Sequence, residues 1–165
     1  MNKAELVAER KRVAQEVLER LGDNMITPMV SGIFYSNGNQ ECTACAVGAA
    51  LAVVVPREEW GYASGRVRPL LGRLWAPREV DAIEYAYQWY TGCYAFLGSN
   101  RLQPAEAEDL RAFLPDPEFN EEEDTHAYEQ EVLKERMEAV WTRILESVNG
   151  SLLADEPSGT LLEDK

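Results

Sequence analysis

A mainly α-helical single domain is the fold class this sequence predicts, and three observations predict it. Apolar residues recur at intervals of three and four along several stretches. The segment Ala44 to Val55 carries no charge and is too short to cross a bilayer, which suits a helix buried on all sides. No internal repeat and no alternation of strand and helix signals is present, which disfavours an α/β sheet enzyme. With 165 residues and 45% hydrophobic content, the chain can bury one core of good size. The expected architecture is an irregular helical bundle around a central apolar helix, with at most one short β-hairpin.

Taken in order, Asn2 is an N-cap candidate, and Leu6, Val7, Val13, Ala14, Val17, Leu18 and Leu21 place an amphipathic helix before Gly22. Residues 23–40 contain Pro28, Gly32 and Asn37-Gly38 around Val30, Ile33, Phe34 and Tyr35, so any β-structure is expected there. Ala44 to Val55 follows as the central helix, stopped by Pro56. Arg66 to Trp75 reads as a short basic helix interrupted by Pro69 and Gly72. Pro77 opens the next helix, with a seam at Val80, Ile83, Tyr87, Tyr90, Tyr94 and Leu97. Pro104 starts a short helix over Ala105 to Leu114, ended by Pro115-Asp116-Pro117. From Glu121 or Thr125 to Val148 the set Val132, Leu133, Met137, Val140, Trp141, Ile144, Leu145 and Val148 defines a long last helix capped by Asn149-Gly150. The packed domain is expected over 1–150, and the acidic tail 151–165 is expected to be disordered.

Charge is distributed very unevenly. The net charge is −13; residues 1–115 hold 12 basic and 14 acidic residues, and residues 116–165 hold 4 basic and 15 acidic. Such an acidic half attracts basic partners and opposes direct binding to nucleic acid, where phosphate neutralisation dominates. Glu118, Glu121, Glu122, Glu123 and Asp124 form the densest run and are the expected partner-binding residues. The run lacks the glycine and alternating oxygen ligands of an EF-hand. Arg66, Arg68, Arg73 and Arg78 form the compensating cluster; they suit a phosphate or, better, an acidic surface of this chain or of a second copy, which makes a homo-oligomer an open alternative. No apolar run reaches membrane-spanning length and the start Met1-Asn2-Lys3-Ala4-Glu5 has no apolar signal core, so a cytoplasmic protein is expected, with no membrane partner and no cofactor.

Chemistry, if there is any, belongs to Gln40-Glu41-Cys42-Thr43-Ala44-Cys45. With Cys42 near a helix N-terminus, Cys45 would lie one turn on, the spacing of a redox pair, but the alternating β and α units of that setting are missing. Cys42, Cys45, Cys93 and His126 together make the ligand set of a structural zinc site, though only one cysteine pair has ligand spacing. The simplest reading is packing, in which Ala44, Gly48 and Ala52 form a small-residue face with Cys45 and Ala49 beside it. The stretch Asn39 to Ala46 resembles the nucleophile region of papain-like peptidases. That resemblance implies Cys45 as nucleophile, Gln40 as oxyanion donor and His126 as base. The interval from Gln40 to Cys45 is one residue shorter than in that family, and Ala46 replaces its aromatic residue. Cys45-Ala46-Val47-Gly48-Ala49 is also similar to a segment of small uncharacterised phage and bacterial proteins, which implies no activity. The overall expectation is an acidic helical protein that binds another macromolecule, in its sharpest form an inhibitor that mimics nucleic acid. The alternatives are a small cysteine-dependent hydrolase or a zinc-stabilised protein.

Overall fold

The computed structural model describes residues 1–29, 33–35, 42–55, 68–91, 102–115, 117 and 125–154. The chain is mainly helical, as expected. Helix α1 is Lys3–Gly22; three short strands follow, β1 Ile26–Pro28, β2 Ile33–Tyr35 and β3 Cys42–Ala44; then come α2 Ala46–Val54, a 3-10 helix Arg68–Arg73, α3 Pro77–Gln88 running into a 3-10 turn Trp89–Thr91, α4 Pro104–Phe113 and α5 Thr125–Glu146. Among the described residues no helix is long and apolar enough to cross a membrane.

Local chemistry sets the helix ends. The Asn2 side chain accepts the Glu5 N–H at 2.8 Å and so caps α1. At the other end Gly22 is still helical, and Asn24 supplies the left-handed turn at φ 59°. Pro77 and Pro104 occupy first-turn positions of α3 and α4, where a missing N–H costs nothing. Glu79 and Glu106 accept the N–H groups of Ala76 and Gln103 at 3.0 and 2.9 Å.

Strand β2, inside the stretch 23–40 where β-structure is expected, pairs antiparallel with β3, which lies beyond that stretch, with Phe34 opposite Thr43. A third strand extends it: β1 pairs parallel with β3, with Ile26 opposite Cys42. Cys42 and Ala44 therefore belong to the central strand of a mixed sheet, and the helix starts two residues later than the charge-free run suggested. Extended backbone satisfies Cys42 through the Met25 carbonyl at 2.9 Å, a bond that a helical Cys42 would forgo.

Helix α2 is buried at every residue from Ala46 to Ala52, and it touches α1, α3, the 3-10 helix and the sheet. It shares the centre with α3, in which all nine residues from Val80 to Gln88 are buried. The largest helix interface joins α1 and α5, and Trp75 meets Trp141 edge to face at 5.7 Å between ring centroids.

Two buried arginines tie distant segments together. Arg10 on α1 donates to the Leu74 carbonyl, to the Asn149 carbonyl at 2.9 Å and to Glu79 at 3.3 Å. Gly150, at φ 71°, lies against it so closely that an added Cβ would stand 2.8 Å from the Arg10 Cβ. Arg136 on α5 donates to the carbonyls of Ala86 and Tyr87, both at 2.8 Å, of Pro115 at 2.9 Å and of Leu114 at 3.1 Å. One guanidinium thus closes the C-terminal ends of both α3 and α4.

The packed chain also runs past the expected boundary at 150. Ser151, Leu152 and Leu153 are buried, and Ser147 Oγ accepts the N–H groups of Gly150 and Ser151 at 2.8 and 3.1 Å. Leu152 and Leu153 join the apolar core, which is why this part of the tail packs. The rest of the tail, 155–165, lies outside the described residues.

Candidate functional site

Two places deserve comparison as sites: the start of α2, where the cysteines lie, and the outer face of α5, where the acidic residues lie. At the first, Cys45 rather than Cys42 holds the helix N-terminus. Its sulfur accepts the Gly48 N–H at 3.3 Å, in the manner of a serine cap. Next to it the carboxylate of Glu84, reaching from α3, accepts the Val47 N–H at 2.8 Å and the Gln88 side-chain amide at 3.0 Å. A buried carboxylate is tolerable there because helix donors and the α2 dipole compensate it. Tyr87 completes the group by donating its hydroxyl to the Met29 carbonyl at 2.7 Å. Burial pushes the Tyr87 phenol well above its usual range, the nearby Cys45, Glu84 and Tyr90 add to the effect, and Arg136 works against it.

This arrangement explains structure better than catalysis. Cys45 is only 5% exposed, and the donors at Val47 and Gly48, which an oxyanion would need, are taken by Glu84 and by the cysteine itself. Cys42 is 2% exposed, and burial raises its thiol to about 11, with Arg20 opposing the rise. Both cysteines are buried. Gln40, Cys93 and the side chain of His126, the remaining members of the hydrolase and zinc sets, lie outside the described residues. Among the described residues no group of three metal-ligating side chains comes together.

The second place is built by helical periodicity. Glu131, Glu135, Glu138 and Glu146 fall at intervals of four, three and eight, hence on one side of α5, and all four are exposed. None of them forms an ion pair within 4 Å among the described residues. An open groove of about 670 Å³ lies beside this row, lined by Glu135, Glu138, Ala139, Thr142 and Glu146 of α5 and by Phe113 of α4. Arg143 lies over the Phe113 ring at 4.2 Å, the one basic side chain in the lining.

The run Glu118, Glu121, Glu122, Glu123 and Asp124, expected to bind a partner, lies outside the described residues, as does Arg66; of Arg68 only the backbone is described. Arg78 pairs with Glu106 between α3 and α4, so this member of the basic cluster serves the same chain's packing. Arg73 is an exposed residue at the end of the 3-10 helix. Sequence reasoning passed over Glu84 and Arg136. A signal existed for both: Glu84 stands one turn after Val80, and Arg136 falls between Leu133 and Val140, so each interrupts an apolar stripe. No known protein family, curated protein or solved structure matches the chain.

Proposed function

We propose that this protein acts by binding a basic macromolecule through the acidic side of α5 and the acidic stretch that leads into it. The observation that carries this reading is the row of four exposed glutamates, with no ion pair among the described residues, on a helix whose opposite side is core. Val132, Leu133, Arg136, Met137, Val140, Trp141 and Ile144 are buried, so the inner side is rigidly anchored. The outer side holds carboxylates at axial steps of about 6 and 4.5 Å between Glu131, Glu135 and Glu138. Fixed like charges pay a repulsive cost in the free protein, which a cationic partner relieves on binding. In its sharpest form the partner is a nucleic-acid-binding protein whose phosphate-contacting surface is occupied, and so inhibited, by this helix. A cytoplasmic location belongs to this reading, since three cysteines are an odd number for a disulfide framework.

The test is affinity recovery from a cell lysate with the full chain and with a variant carrying Gln at positions 131, 135, 138 and 146. Basic proteins that elute with salt should be recovered by the full chain and depleted by the variant. Equal recovery by both would refute the reading. Truncation at Pro115 is unsuitable, because it would remove Met137, Val140, Trp141 and Ile144 from the core.

A further inference from the structure

We infer that the groove between α5 and Phe113 seats one basic amphipathic helix of the partner. This rests on the proposed function and names the element that is recognised. Length supports it first: from Glu135 to Ser147 the groove follows about 18 Å of helix axis, the length of three helical turns. Composition supports it next. Phe113 and Ala139 offer apolar surface, Val148 follows the groove's last residue and is 94% exposed, and Glu135, Glu138 and Glu146 line the edge. A helix with one apolar residue per turn or two, flanked by arginines or lysines, matches both features at once. Basic helices of this kind are also what many DNA-binding proteins insert into the major groove.

Net charge disfavours the other occupants at long range. A second copy would bring another −13, and the chain's own end contributes Asp155, Glu156, Glu163 and Asp164 against Lys165 alone. Arg143 has a distinct part. Lying on the Phe113 ring, it covers the site an incoming arginine would stack on and repels it as well. Its removal is therefore expected to strengthen binding, the opposite of removing a neighbouring glutamate.

Calorimetric titration with two synthetic helical peptides tests this on the full chain. One carries three arginines on a single face, spaced three and eight residues apart to match Glu135, Glu138 and Glu146, with a leucine between; the other has the same composition scrambled. The expected results are preference for the patterned peptide, about tenfold weaker binding by the variant E135Q/E138Q/E146Q, and about two- to fivefold tighter binding by Arg143→Ala. A control with Gln at the exposed positions Glu5, Glu19 and Glu108 changes net charge equally and should cost far less. If the control weakens binding as much as the groove variant, or both peptides bind alike, the groove is not the seat, while a salt-sensitive partner in the lysate experiment would still uphold the acidic reading. If neither peptide binds and the lysate yields no such partner, both fall. Concentration-dependent sedimentation abolished by E135Q/E138Q/E146Q would overturn the inference in favour of a second copy.

Discussion

Replacing Arg136 by methionine keeps most of the side-chain length and removes every donor. Four carbonyls lose a hydrogen bond, but not at equal cost. Leu114 still accepts the Trp89 indole N–H at 2.9 Å, and Pro115 is exposed and can be hydrated. The loss therefore falls on Ala86 and Tyr87, which are buried at the end of α3. At about 1–3 kcal/mol for each buried group that loses its partner, less the relief of no longer burying a charge, the net expected loss is about 2–4 kcal/mol. That is a large part of the roughly 5–15 kcal/mol that holds such a domain together. The cation stacked 4.6 Å from the Tyr90 ring adds a smaller contribution. Urea unfolding followed by tryptophan fluorescence measures the loss, since Trp75 and Trp141 are both in the core. Arg136→Lys should recover only part of it, because an ammonium cannot span the ends of two helices as a planar fork does. A midpoint within about 0.5 kcal/mol of the wild type for Arg136→Met, with an unchanged slope, would refute the argument.

Three further outcomes follow from the same geometry. Gly150→Ala should destabilise by about 1–2 kcal/mol or more, since φ 71° is strained for alanine and its Cβ would strike Arg10; a calorimetric melt checks this. Stability should fall as pH rises from about 9 toward 11: the unfolded Cys42 thiol ionises first while the folded one, raised to about 11, stays neutral, so its contribution is complete below the lower value and is lost across that window. Burial raises the Tyr90 phenol to about 12, which extends the decline above pH 10, and Cys42→Ala should remove about 1 kcal/mol of the loss measured at pH 10 in urea titrations. Alkylation by iodoacetamide at neutral pH, read peptide by peptide, should leave Cys42 and Cys45 nearly untouched until the chain is unfolded; rapid reaction of Cys45 in the native protein would instead favour the hydrolase reading.

The helices were legible because each announces its ends and its inner face locally. Asn2, Pro77 and Pro104 mark starts, and the stripe from Leu133 to Ile144 marks the core side of α5. The start of α2 was misjudged for a physical reason. Ala44 and Cys42 have no side-chain feature that distinguishes a strand from a helix, and what decides their backbone is pairing with other segments, Cys42 with Ile26 and Tyr35 and Ala44 with Pro28 and Ile33. The burial of α3 on all sides was hidden in a similar way. Asp81, Glu84 and Gln88 are polar residues, yet all three are buried, and Glu84 meets the donors of α2, a compensation that exists only once both helices are packed. Arg136 and, apart from its contact with Glu79, Arg10 show the same principle, since the partners are backbone carbonyls, which carry no residue identity. On the acidic side, net charge pointed to the last fifty residues, and the densest run drew attention first. The row Glu131, Glu135, Glu138 and Glu146 was equally readable from helical spacing, but its lack of bridging partners and the groove beside it required the fold.

The central claim is that particular carboxylates of the acidic half, and not its bulk charge, meet a basic partner. Zero-length carbodiimide cross-linking of the full chain to the partner recovered from lysate, with the linked peptides sequenced by mass spectrometry, tests it most directly. Links from partner lysines should concentrate on Glu131, Glu135, Glu138 and Glu146 and on the run from Glu118 to Asp124, and should vanish at high salt. Links scattered over Glu5, Glu19, Glu108 and the α5 row in proportion to exposure would contradict it.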